Sequence, residues 1–170
     1  LNGTGSAKET WHLELSLEGS GMTYAPGDAL ALIPTNAEDV VDSILKATGL
    51  STDARVPGNA GSEVDLHEAL SGHYDVTGLT KSVIRKYNTF AQSDKLAALQ
   101  EPENKEALHE YLWGRQIVDL LEDYPVKGLS AEALVGCMRK MPPRLYSIAS
   151  SLKAHPDEVH LTIASVRYHS

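Results

Sequence analysis

Residues 10–18, "TWHLELSLE", alternate without a break: Trp11, Leu13, Leu15 and Leu17 on one parity, His12, Glu14, Ser16 and Glu18 on the other. A period of two puts the four apolar side chains on one face of a strand, the pattern of a half-covered antiparallel sheet or barrel. The chain therefore opens in β structure. Gly19-Ser20-Gly21 reads as a turn, and Pro26-Gly27 pre-sets a second one before the apolar run 29–33.

From Thr35 the period changes. Asn36 is placed to cap a helix with Glu38 and Asp39 in its first turn, Val40, Val41, Ile44 and Leu45 on its apolar face, and Gly49 past its end. A Gly- and Ser-rich loop, "STDARVPGNAGSE", follows. Helical stretches are predicted at 66–70, 82–91, 102–113 (with Pro102 at a first helical position), 116–123, and 131–140 behind a Ser130 cap. The closing segments "RLYSIAS" and "EVHLTIASVRY" are rich in Val, Ile, Thr and Tyr, and the polar connection 152–157 predicts a hairpin between them. The order β, α, β, with no repeat and no low-complexity tract, predicts an α+β chain. Residues 1–35 and 141–170 form an antiparallel β domain in this reading, and 36–140 a helical insertion.

Composition excludes several classes. A formal charge of -8 over 170 residues argues against a nucleic-acid surface, which needs a basic face to displace counterions. The charge is uneven: residues 1–138 hold 10 Lys+Arg against 21 Asp+Glu, whereas 139–170 hold 5 against 2. One cysteine leaves no internal disulfide, and no apolar run approaches the ~20 residues of a membrane span. No signal peptide pattern opens the sequence, so a cytoplasmic protein without a membrane or nucleic-acid partner is expected. Leu1 at the start and the strand-like "LTIASVRYHS" at the end suggest a piece of something longer.

Most candidate chemistry fails on spacing. Gly3-Thr4-Gly5 lacks both the Gly-Lys-Ser/Thr of a phosphate loop and the third glycine of a dinucleotide fingerprint, and reads as a turn. Seven histidines include no helical i, i+4 pair; His67 and His73 are six apart, and His155 and His160 straddle a loop and a strand, so no metal is expected. The carboxylates show no acid/base spacing, and Cys137, among Leu134, Val135 and Met138, reads as a small core residue. What remains is "PPRLYSIASS" at 142–151. On a strand Arg144 and Tyr146 share one face, about 7 Å apart, with Leu145 and Ser147 on the other. A guanidinium fork suits phosphate oxygens and an aromatic ring stacks on a flat heterocycle. The plainer reading is that Tyr146 fills the core, Arg144 pairs with a surface acid and Ser147 is only a strand residue.

"RLYSIASS" followed by "HPDEVHLTIASVRY" resembles the FAD-binding module of the diflavin reductases, most closely its sulfite-reducing branch. "GSAKETWHLELSL", "YAPGDALALIPTN", "LHEALSGHYDVTGLTKSVIRKY" and "GRQIVDLL" resemble family segments in the family's order. The resemblance implies a flattened antiparallel β barrel that binds FAD, interrupted by a helical connecting region. It implies Arg144 on the FAD pyrophosphate, Tyr146 stacked on the isoalloxazine and Ser147 near the flavin N5, with Leu145 between them. Thr162, Ile163 and Ala164 would line the cofactor through their backbone, Tyr168 would pack near the adenine half, and Thr77 and Trp113 match contact positions in the helical region. The activity implied is NADPH-dependent oxidoreduction, with electrons passing through FAD to FMN. NADPH and FMN would be held by a nicotinamide-binding and a flavodoxin-like domain outside this sequence, and a hemoprotein subunit is the implied acceptor. By itself the fragment is expected to be inactive, with no residue assigned as catalytic. A module of the cytochrome-reductase, nitric-oxide-synthase or nitrate-reductase type, or a cofactor-free helical docking scaffold, are the alternatives.

Overall fold

The computed structural model describes residues 2–166. The chain divides into two compact units: Leu1–Ile33 with Pro143–Ser170, and Pro34–Pro142. Both crossings fall at prolines, which lack the N–H that would carry strand pairing onward.

The first unit is built of β1 (Thr10–Ser16), β2 (Ala29–Leu32), β7 (Arg144–Ser147) and β8 (Glu158–Ala164). β1 pairs antiparallel with β8 from Thr10↔Ala164 to Ser16↔Glu158, and β2 with β7 from Ala29↔Ser147 to Leu32↔Arg144. The alternation read from the sequence decides the register: Leu15 pairs with Val159 and Leu13 with Leu161. Leu17, Val159 and Leu161 form a small buried core, against which Leu30, Leu32, Tyr146, Ile148 and Ile163 pack. The Pro26-Gly27 turn is present, closed by Asp28 N–H donating to the Ala25 carbonyl at 3.1 Å, with Gly27 at φ 98° where a side chain would be strained.

The expected hairpin between 144–148 and 158–164 is corrected. β7 takes β2 as its ladder partner, and the chain just past β7 meets β8 at the isolated bridge Ile148↔Leu161. Beyond it the Ser150 hydroxyl accepts the His160 N–H at 2.9 Å, and Tyr24 Oη lies 2.6 Å from the same hydroxyl, so side chains replace the ladder. Among the described residues the strands make two-stranded antiparallel ladders and no closed barrel.

The second unit surrounds a larger core that includes Ile44, Leu66, Leu70, Ile84, Leu96, Leu120 and Leu134. Its elements are α1 (Glu38–Thr48), β3 (Arg55–Pro57), β4 (Glu63–Asp65), α2 (Leu66–Glu68) running into a π turn to His73, β5 (Tyr74–Asp75), α3 (Lys81–Ala91), α4 (Asp94–Ala98), α5 (Lys105–Leu112), α6 (Ile117–Asp123), α7 (Ala131–Cys137) and β6 (Arg139–Lys140). The predicted apolar face of α1 is buried at Val41, Ile44 and Leu45, and Gly49 ends it at φ 65°. Thr80 and Ser130 cap α3 and α7 by accepting the Val83 and Ala133 N–H groups.

Four expectations for this unit are corrected. Asn36 does not cap α1; its amide donates to the carbonyls of Leu70 and Tyr74 at 2.6 and 2.7 Å, and Ala37 takes the cap position. The loop 51–63 contains β3 and the start of β4. The helix expected over 131–140 stops at Cys137, because Met138 is extended and Arg139 pairs with Asp75 across β5 and β6. Helix α4 was not expected; Ser93 caps it, and only Leu96 is buried, too little for a periodic signal. Cys137 is a core residue as expected, 4% exposed; burial pushes its thiol up, against a smaller opposing effect of Lys86. Among the described residues no helix is long and apolar enough to cross a membrane.

Candidate functional site

The "RLYS" strand begins directly after Pro143 and ends its pairing with β2 at Ser147, opposite Ala29. Cross-strand partners sort its side chains. Arg144 lies opposite Leu32 and Tyr146 opposite Leu30, while Leu145 and Ser147 lie opposite Ala31 and Ala29. Leu30, Leu32 and Tyr146 turn to the small core, so Tyr146 is half-buried against it, as the plainer reading of the sequence has it. Leu145 is 71% exposed on the other face, beside an exposed Ser147. Arg144 is exposed, and the arginines in ion pairs among the described residues are Arg55, Arg115 and Arg139. The surface acid that the plainer reading requires for Arg144 is therefore not found among them, and its five donors are available to an anion.

Thr162, Ile163 and Ala164 end β8. In an antiparallel ladder the backbone groups of successive residues point to alternate edges. Ser165 N–H donates to Glu9 and Leu17 N–H to the Asp157 carbonyl, which turns the odd-numbered residues toward β1. His160 offers its carbonyl to Ala149 N–H instead, at 2.8 Å, and Thr162 and Ala164 share its direction. The antiparallel bridge Ile148↔Leu161 engages the Thr162 N–H together with the His160 carbonyl; past it that edge has no strand partner among the described residues, so the Thr162 carbonyl and the peptide groups of Ala164 are open to hydrogen bonding. Ile163, of opposite parity, packs on the core. Tyr168 lies outside the described residues.

The bridge brings β7 and β8 together within one unit. Thr77 and Trp113 belong to the other. Thr77 follows β5, where Asp75 Oδ1 accepts from its N–H and hydroxyl, both at 3.1 Å, and from Gly78 N–H at 3.0 Å. Asp75 Oδ2 accepts from Arg139 Nη2 at 2.6 Å and Nε at 2.9 Å. Burial pushes the Asp75 carboxyl up, but the bonds from Arg139, Gly78 and Thr77 outweigh it, and the group sits below the usual carboxylate range. This network holds the Thr77 turn rigid. Its stabilisation is complete above the unfolded carboxyl's pKa of about 4 and is lost as pH falls through the lower folded value. Asp75→Asn is expected to lower stability by ~1–3 kcal/mol at neutral pH. The difference from the parent should close progressively in denaturant melts below about pH 4; a gap constant with pH would refute this account of the network. Trp113 ends α5 and is 77% exposed, its ring 6.0 Å from that of His109.

A cleft of about 360 Å3 opens in the β unit, lined by Leu17, Tyr24, Leu30, Ile148 and Val159 among others. None of the sequence-predicted contact residues lines it. The strand surface offers a free guanidinium, a hydroxyl and unpaired peptide groups, and is the better match to a phosphate-bearing ligand. Sequence reading missed Tyr24, which bridges Ser150 and the Glu158 carbonyl, the latter at 2.9 Å; nothing in a lone tyrosine beside a turn signals it.

Comparison with known proteins is extensive. The FAD binding domain family model matches residues 1–170. A sulfite reductase [NADPH] flavoprotein alpha-component from Bacillus subtilis (strain 168) is 48% identical over 169 residues, covering 99% of this chain and 28% of that protein. The Vibrio cholerae (strain ATCC 39541) protein of the same name is 40% identical and that of Serratia proteamaculans (strain 568) 37%, each over 168 residues, 99% of this chain and 27% of the relative. The chain thus spans little more than a quarter of the relatives it matches.

Proposed function

The chain belongs to the FAD binding domain family, and we propose that it is the FAD-holding module of an NADPH-dependent diflavin reductase of the sulfite-reducing type. The observation that carries this is the uncommitted Arg144 on a strand that continues into one bridge to β8, past which the Thr162 carbonyl and the Ala164 peptide groups have no strand partner among the described residues. Those groups fit a cofactor in which a dianionic pyrophosphate is linked to a planar ring, as it is in FAD.

Arg144 would set its fork against the pyrophosphate oxygens, supplying charge-assisted bonds that also fix the cofactor's orientation. Tyr146, anchored by packing on Leu30 and the core, would offer the exposed part of its ring to the isoalloxazine. Ser147, on the opposite face, would reach the flavin N5 region only around the strand edge, and Leu145 would shield that face from water. Thr162 and Ala164 would hydrogen-bond the cofactor through main-chain groups, and Ile163 would hold their strand to the core. Bound FAD would supply the exchange between two-electron and one-electron redox chemistry, and this chain's part would be binding, orientation and electrostatics. In this reading 1–35 and 141–170 are the flavin-binding part, with the two ladders belonging to a flattened barrel, and 36–140, which holds Thr77 and Trp113, is the connecting region. The nicotinamide-binding and FMN domains, and a hemoprotein acceptor subunit, are the partners this assigns.

Titration of FAD into the purified 170-residue chain should quench flavin fluorescence saturably. A linear response to added FAD would remove the flavin reading and leave the scaffold. With FAD and NADPH both present, the chain alone should reduce no electron-accepting dye above buffer, because the site for the hydride donor lies elsewhere; dye reduction above buffer would contradict that division.

A further inference from the structure

Spacing along the sequence joins no metal ligands, but the ladder of β1 and β8 does. The register sets Glu14 opposite His160, Ser16 opposite Glu158 and His12 opposite Thr162. His12, Glu14, Glu158 and His160 therefore share the face turned away from Leu13, Leu15, Val159 and Leu161. The connection before β8 returns His155 to the same patch: its Nδ1 lies 3.5 Å from Glu158 Oε2, and His160 Nε2 lies 3.0 Å from that same oxygen. The two imidazoles are 4.3 Å apart between centroids. One ligand atom from each of His155, Glu158 and His160 falls within 4.8 Å of the other two.

These separations have a chemical meaning. A zinc-class ion with N and O ligands at about 2.0–2.2 Å in a tetrahedron spaces those ligands roughly 3.3–3.5 Å apart. The 3.0 and 3.5 Å separations lie close to that edge, the first slightly short of it. The scaffold is also set. His160 is only 8% exposed, with its N–H held by Ser150 and its carbonyl by Ala149. His155 N–H donates to the Ser151 carbonyl at 2.9 Å, and Asp157 ties the turn to Leu17. Three ligands within six residues on a hydrogen-bonded turn need little ordering to close on an ion.

A second set, His12, Glu14 and His160, meets the same distance condition but shares His160, so one ion must choose. The convergence of two imidazoles on a single Glu158 oxygen favours the turn. We propose that His155, Glu158 and His160 form a binding site for one divalent transition-metal ion of the zinc class, with its fourth position open to water or an added ligand. This assignment is independent of the flavin reading.

The test is Zn2+ titrated into the full chain against a chromophoric zinc indicator, followed by Co2+ titration read by its visible absorption. One equivalent of Zn2+ should be taken from the indicator, and Co2+ should give the intense bands of a tetrahedral site. Loss of an outer-shell partner of a metal costs about 10- to 100-fold in affinity, so loss of a direct ligand should cost at least about tenfold. His155→Ala and Glu158→Gln should each do so; both side chains are nearly half exposed, at 45% and 47%, and circular dichroism should show the fold unchanged. His12→Ala should leave the affinity within about twofold, below the tenfold floor of a lost ligand. No competition by the parent chain, affinity surviving both turn substitutions, or affinity lost with His12→Ala and kept with His155→Ala would each overturn the assignment.

Discussion

Arg144→Ala is expected to weaken FAD binding by roughly 10- to 150-fold, the equivalent of losing ~1.5–3 kcal/mol of charge-assisted hydrogen bonding. The size follows from the side chain's freedom: no ion pair among the described residues has to be broken before it meets an anion, so nearly all of its interaction with the pyrophosphate is gained on binding. Arg144→Lys should recover only part, since a single ammonium cannot hold two oxygens in a fork. Tyr146→Ala should cost less in affinity, about two- to tenfold for a lost ring stack, and should also loosen the protein, because the same ring packs on Leu30 and the small core. Fluorescence titrations at two salt concentrations would separate the roles: the Arg144 effect should shrink with salt and the Tyr146 effect should not. Binding by Arg144→Ala within twofold of the parent would end the assignment of this strand to the pyrophosphate.

The second large effect is structural. Leu161→Ala removes the most deeply buried of the three core side chains of the β unit and should cost ~2–5 kcal/mol, with little collapse around the hole because β1 and the Ile148 bridge pin the strand on both sides. For so small a unit this corresponds to a fall in melting temperature on the order of 10 °C or more. The two tryptophans make it measurable: Trp11 lies on β1 and Trp113 in the helical unit, so Trp113→Phe leaves a single emitter in the β unit. Trp11 donates from its indole to Ser165 Oγ at 2.9 Å, beside the end of β8, and reports on the ladder that Leu161 supports. Unchanged melting of Trp11 fluorescence in Leu161→Ala would mean that the three-residue core does not hold the strands.

Elements with a strong period were legible from the residues alone. The alternation at 10–18 gave β1 but not its partner β8, and of its apolar parity Leu17 is buried while Trp11 and Leu13 are exposed; the i, i+3, i+4 pattern at 40–45 gave the buried face of α1. What failed was decided by partners distant in sequence. Asn36 looks like a cap, and would be one were the Leu70 and Tyr74 carbonyls not within reach. β7 looks like half of a hairpin, yet its partner lies more than a hundred residues earlier, where Leu30 can cover Tyr146. The site divides in the same way. Arg144 and Tyr146 stand out because one short motif places them two positions apart, whereas His155, Glu158 and His160, though within six residues, straddle a turn and a strand and converge only once both are folded.

The β unit closes by pairing Thr10 with Ala164 and Ser16 with Glu158, across the whole of the helical unit. During synthesis, at about 5–20 residues per second, β1 and β2 must wait roughly 6–30 s after leaving the ribosome before β7 and β8 exist to receive them. The continuous segment 34–142 meets no such delay and is free to fold first. For that interval β1 is an unpaired apolar strand, and Glu14 and Glu18 along its polar edge act as gatekeepers against association with other nascent chains.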